Sequence, residues 1–129
     1  MTRINVVPVQ SLTRDHLVAE YKELPRAFDL AYKASVSSKP WTNKQPKEYT
    51  MGTGHVTFFY DKLGFLAKRQ SELVQEMFNR GYKPKFLTSL KDEWQDKIPS
   101  GYWKDYVPTE AALKINKERI DKRLMGDKT

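Results

Sequence analysis

The residues best suited to chemistry stand at the start of the chain. Met-Thr-Arg-Ile-Asn at positions 1–5 places a small residue behind Met1, so removal of the initiator would expose the α-amine of Thr2. A free α-amine titrates near 8 and a lysine near 10.4, which makes the neutral, nucleophilic form roughly two hundred times more abundant at neutral pH. Such an amine suits reactions that pass through an imine. Downstream, His16-Leu-Val-Ala-Glu20-Tyr-Lys22-Glu23-Leu-Pro-Arg26 supplies carboxylates within one helical stretch. Glu23 could stabilise a developing cationic carbon or shuttle protons for an imine. Glu20 is its rival on the same face. His16 could donate to an anionic or sugar oxygen, or simply cap the start of its helix. Met-Thr is a common start, and most helix glutamates are solvated, so the constellation matters only if the fold folds the N-terminus against that carboxylate face.

A second set of residues suits the binding of phosphates. Arg3, Lys22, Arg26, Lys33, Arg119 and Arg123 come from both ends of the chain. They act together only if the helices carrying them present one continuous basic surface. The formal charge is +7, which favours an anionic partner, nucleic acid being the commonest. Trp41, Trp103 and Tyr49 lie in polar stretches and could stack on bases. Anchoring the core is the blander role for them, especially for Trp103. His55 beside Gly52 and Gly54 hints at a phosphate cradle, although two glycines alone are a weak signal.

Composition removes other chemistries. The chain has no cysteine and two histidines, which excludes disulfides, cysteine-held zinc, thiol catalysis and a histidine-rich metal site. Neither a metal nor a cofactor is expected. No apolar run reaches the length of a membrane span, and Arg3 is not followed by the apolar stretch of a signal peptide. A cytoplasmic protein with no membrane partner is the simplest expectation.

The elements that must position these residues read as all-α: a single compact domain over 1–129, with three main helices and long irregular loops. Residues 1–11 look extended, with Val6, Val7 and Val9 alternating around Pro8. Leu17, Tyr21, Leu24, Phe28 and Ala31 recur at three- and four-residue steps, predicting a first helix from about Thr13 to Val36. His16, Glu20, Glu23 and Arg26 fall on roughly the opposite side, and Pro25 is expected to bend the helix. Residues 37–54 form a long polar loop. Phe59, Leu63, Leu66, Gln70, Leu73 and Met77 predict a second helix from about Phe58 to Arg80, closed by Gly81. Residues 82–107 read as irregular. Thr109 is a good N-cap for a third helix, reaching about Leu124 on a thin stripe of Leu113, Ile120 and Leu124.

Several blocks, in order, carry a family resemblance: Met-Thr-Arg-Ile-Asn at 1–5, His16-Leu, Ala19-Glu-Tyr-Lys-Glu-Leu-Pro-Arg26, Gly54-His-Val-Thr-Phe-Phe-Tyr-Asp-Lys-Leu63 and Lys68-Arg-Gln70. Arg80-Gly81, Asp105-Tyr-Val-Pro108 and Arg119-Ile-Asp121 continue the series. The chain resembles the phage-type pyrimidine-dimer DNA glycosylases with apurinic/apyrimidinic lyase activity, the repair enzymes historically called endonuclease V. The resemblance implies a mostly helical monomer without metal or cofactor, working in the cytoplasm of a phage-infected host. It implies action on duplex DNA carrying ultraviolet damage, with a flipped base and a kinked duplex. It further implies that the Thr2 amine attacks the sugar C1′ of the dimer's 5′ nucleotide, that β-elimination then nicks the strand, and that Glu23 is the catalytic carboxylate. Arg3, His16, Lys22, Arg26, Arg119 and Arg123 match family positions that contact DNA. Two departures stand out. Lys22 replaces a frequent arginine, keeping the charge but losing the fork geometry. Leu124-Met-Gly-Asp-Lys-Thr129 lacks the family's tyrosine-rich tail. A related glycosylase for another damaged or modified base, or a non-catalytic basic DNA-binding protein, are the alternative readings.

Overall fold

A computed structural model describes residues 4–38, 40–85 and 89–126, with backbone alone at 124–126. Three long helices carry the architecture: α1 (Arg14–Val36), α2 (Leu63–Asn79) and α4 (Glu110–Gly126), with a short α3 (Leu90–Trp94) between the last two. Among the described residues there is no strand, and one isolated antiparallel bridge joins Lys62 to Trp103. The fold is all-α, as the periodicity predicts.

α1 starts where its cap dictates: the Thr13 hydroxyl accepts from the His16 N–H. Its apolar face is the predicted one, with Leu17, Tyr21, Leu24, Phe28 and Ala31 all buried. The helix runs unbroken through Pro25. α2 packs against α1 with Leu63, Leu66, Leu73 and Met77 inward. Its end follows glycine chemistry: Gly81 adopts φ +83°, while Tyr82 N–H donates to Met77 O (2.8 Å) and Gly81 N–H to Phe78 O (2.9 Å). α4 is capped by Thr109, whose hydroxyl accepts from Ala112 N–H at 3.0 Å, and buries Ala112, Asn116 and Ile120.

Four expectations need correction. The N-terminal segment is not extended throughout, since Val9–Ser11 form a 3₁₀ turn after Pro8. The second helix does not begin at Phe58. Thr57–Phe59 form a 3₁₀ turn and α2 opens at Leu63. The cause is a pairing across the chain, in which Lys104 N–H donates to Asp61 O (3.2 Å) and Phe65 N–H to Lys104 O (3.3 Å). Gly64 permits that approach, because a Cβ there would stand 2.7 Å from Trp103 O. Asp61 secures the same joint, accepting from Gln45 Nε2 (2.9 Å) and Lys62 Nζ (3.1 Å). Residues 82–107 are not wholly irregular, since α3 and a 3₁₀ turn at Ser100–Tyr102 fall within them. In α4 the buried stripe passes through Asn116, and the predicted Leu124 contact lies outside the described side chains.

Candidate active site

α1 sorts its polar residues by angle. At about 100° per residue, Lys22, Arg26 and Lys33 fall within about 40° of one another, Glu23 lies about 60° further round, and Glu20 about 60° beyond that. Burial follows this order. Lys22, Arg26 and Lys33 are exposed, Glu23 is half-buried, and Glu20 is 2 % exposed. The two carboxylates therefore do not share a solvated face. His16 is half-buried, and its Nδ1 lies 2.8 Å from the Thr13 hydroxyl that caps the helix.

Glu20 is held at both oxygens. Arg69 of α2 donates from Nε to Oε2 (2.7 Å) and from Nη2 to Oε1 (3.0 Å), a paired geometry that orients both groups. Asn5 Nδ2 also donates to Oε1, at 2.8 Å. These contacts begin a polar chain that runs through the core. Asn116 of α4 donates from Nδ2 to Asn5 Oδ1 (2.8 Å), and its own Oδ1 accepts from Val6 N–H (2.7 Å) and Val7 N–H (3.1 Å). Arg69 Nη1 donates to Val7 O. At the upstream end, Ile4 N–H donates to His55 Nε2 (2.8 Å), and the Tyr49 hydroxyl donates to Ile4 O (2.9 Å). Because His55 Nε2 accepts, the imidazole carries its proton on Nδ1, which faces Thr50 O at 2.7 Å.

Residues 4–7 carry no regular ladder, yet their buried backbone polar groups must be satisfied. Side chains from α2, α4 and the loop at 49–55 do this, while Glu20 of α1 holds the Asn5 side chain. The result is a segment fixed from several directions, running alongside Glu20 one turn before Glu23.

The remaining predicted site residues fall as follows. Thr2 and Arg3 lie outside the described residues. Lys33 pairs with Asp29 at 3.0 Å on an exposed surface, an attachment of little energetic weight that phosphate can replace. Arg123 is exposed on α4. Arg119, one turn before it, is half-buried, and its Nε is buried with no hydrogen-bond partner among the described residues. A desolvated guanidinium donor without a partner is costly unless an anion supplies one.

The stacking reading needs correction at Tyr49 and the cradle reading at His55, while Trp41 and Trp103 are half-buried. Tyr49 is buried at 3 % exposure and bonded to Ile4. Trp103 donates to Ile98 O (3.1 Å) and packs on Phe28. Trp41 donates to the Tyr102 hydroxyl (3.1 Å) beside Tyr60. His55 is buried at 4 % and spends both nitrogens on the chain itself.

Asn5, Arg69 and Asn116 were not singled out by sequence. A signal was present: Arg69 interrupts the Leu66–Leu73 stripe, and Asn116 sits midway between Ala112 and Ile120. A polar residue at a core position of a helix implies a buried partner.

The candidate site thus consists of a carboxylate helix, a braced N-terminal segment and cations on α1 and α4. A family model described as pyrimidine dimer DNA glycosylase matches residues 1–97. The chain belongs to the pyrimidine dimer DNA glycosylase family. It is a DNA repair enzyme, and its ligand is ultraviolet-damaged DNA. The matched residues include α1, α2 and the loop carrying Tyr49 and His55, so the enzyme's carboxylates and most of the bracing side chains lie within the family region. Asn116, Arg119 and Arg123 lie beyond it. Among the described residues no helix is long and apolar enough to cross a membrane.

Proposed function

We propose that the enzyme is a monomeric glycosylase and apurinic/apyrimidinic lyase acting on duplex DNA through the α-amine of Thr2. The lone pair of that nitrogen bonds to C1′ of the dimer's 5′ nucleotide as the C1′–N1 bond breaks. The bonding pair leaves with the base, which takes up a proton. The new ammonium loses a proton. The sugar then opens at C1′–O4′, O4′ takes a proton, and a protonated imine joins the nitrogen to C1′. Removal of a C2′ proton expels the 3′ phosphate and nicks the strand by β-elimination, after which water releases the enzyme. Glu23 stabilises the positive charge at C1′ and carries protons between these steps. Arg3, His16, Lys22, Arg26, Lys33, Arg119 and Arg123 hold the phosphates and sugars that frame the lesion.

The observation that carries this reading is the seating of Asn5 on Glu20, one helical turn before Glu23, within a segment that His55 and Asn116 also hold. Glu20 is committed to Arg69 and Asn5, which gives it a structural role, and Glu23 is the half-buried carboxylate one turn further along the same helix. The buried Nε of Arg119, which has no hydrogen-bond partner among the described residues, supports an anion site on α4. The test is Glu23→Gln. Binding to a duplex bearing one cyclobutane dimer should stay within about twofold, while cleavage falls by about 10²–10⁴, the range for a lost proton-transfer group. Retained cleavage would remove Glu23 from the mechanism.

A further inference from the structure

We infer that Asn116 is a positioning residue for the nucleophile, the part through which α4 fixes the direction of the N-terminal chain. The inference rests on the Thr2 amine being the attacking group. It goes beyond the family match, since Asn116 stands outside the matched residues 1–97.

Asn116 is fully buried, and its side chain bonds the N-terminal segment at Asn5, Val6 and Val7. One carbonyl oxygen receives two consecutive backbone N–H groups, those of Val6 and Val7, at 2.7 and 3.1 Å. Two neighbouring amides converging on one acceptor fix the rotation of the peptide between them. The amide nitrogen of the same side chain orients Asn5, which in turn is seated on Glu20. Asn116 therefore sets the segment's rotation as well as its distance from α1. Upstream, His55 and Tyr49 hold the two polar atoms of Ile4. Thr2 precedes Ile4 by two residues, and two residues of chain reach about 7 Å at most, so the amine's available volume is set by how this segment is aimed. Displacement at C1′ requires approach opposite the departing base. A shift of about 1 Å in a reacting group costs up to about a hundredfold in rate.

Two substrates separate positioning from general stability. On a dimer, the amine must displace the base at C1′ from one direction. On a preformed abasic site it adds to the open-chain C1′ aldehyde, then loses water to give the imine, and an aldehyde admits a wider range of approach. Damage to the fold lowers both rates together, whereas misaim lowers the first more than the second. The experiment measures single-turnover borohydride trapping at saturating DNA on both substrates, well below the melting temperature, with folding checked by circular dichroism. For Asn116→Ala, the ratio of dimer to abasic trapping rates should fall by about tenfold or more. Asn116→Asp keeps both acceptor contacts and, when ionised, loses the donation to Asn5, so its ratio should fall by more than about twofold but by less than that of alanine. A ratio within twofold of wild type in Asn116→Ala would overturn the inference. Should that variant not fold, the same result in Asn116→Asp would do so. Wild-type protein that gives no trapped complex at all would instead strike at the amine mechanism, so the two failures are distinguishable.

Discussion

Glu20 and Glu23 differ by three positions and by chemistry. Both belong to the same sequence block, and in sequence nothing separates a catalytic carboxylate from a structural one. The structure separates the two by burial, since Glu20 is 2 % exposed and Glu23 half-buried. Glu20 and Arg69 have side chains 1 % and 4 % exposed and bind each other through two contacts. Breaking one member of such a pair leaves a desolvated charge behind, which costs about 3–5 kcal/mol. Glu20→Ala should accordingly lower the urea-derived unfolding free energy by about that amount. A loss under about 1 kcal/mol would show that Arg69 finds another partner or solvent. Glu23→Gln, on a half-buried side chain, should leave stability nearly unchanged while cleavage is lost. The contrast between the two variants, stability against rate, is the residue-level signature of the account.

Among the elements, the helices were legible and the joints were not. α1 shows its apolar residues at regular steps, and Thr13, Thr109 and Gly81 mark helix ends by local chemistry, which is why their positions follow from sequence. The start of α2 is set by residues about 40 positions away, because the backbone at 103–104 pairs with residues 61–65; periodicity carries no trace of such a partner. The same holds for the bracing of residues 4–7, where Asn116 meets Val6 across 110 positions. The carboxylates and cations could be named from sequence, but not the side chains that aim them. The α2 joint also predicts a pH response. Burial alone would raise the pKa of Asp61, but hydrogen bonds from Lys62 and Gln45 and the charges of Lys62 and Lys104 outweigh it and hold the pKa below the ordinary 3.8. A depressed carboxylate contributes stability that is present above its unfolded value and lost as pH falls through its folded value. The urea midpoint should therefore drop on acidification below about pH 4, and Asp61→Asn should flatten that acid limb. An unchanged limb would mean that other carboxylates govern acid unfolding.

At the scale of the whole molecule, the polar chain Arg69–Glu20–Asn5–Asn116 joins the three long helices through the N-terminal segment. α1 thereby supplies Glu23 with Lys22 and Arg26, while α4 supplies Arg119 and Arg123, all referred to one fixed stretch of chain. If Arg3, Lys22, Arg26, Lys33, Arg119 and Arg123 each engage a phosphate, log Kobs should fall with log salt at a slope of about −5 on duplex DNA. Removing Arg119 should make that slope shallower by about one unit. A slope near −2 would confine the contact to one helix. Such binding only places the lesion, and in the proposed mechanism the reaction depends on the N-terminal nitrogen. The most direct measurement is borohydride reduction of enzyme mixed with duplex carrying one cyclobutane dimer, followed by proteolysis and mass spectrometry of the cross-linked peptide. The account predicts a sugar fragment on the α-nitrogen of Thr2 in protein that has lost Met1. An adduct on a lysine instead, or full activity in protein that still carries Met1, would contradict it.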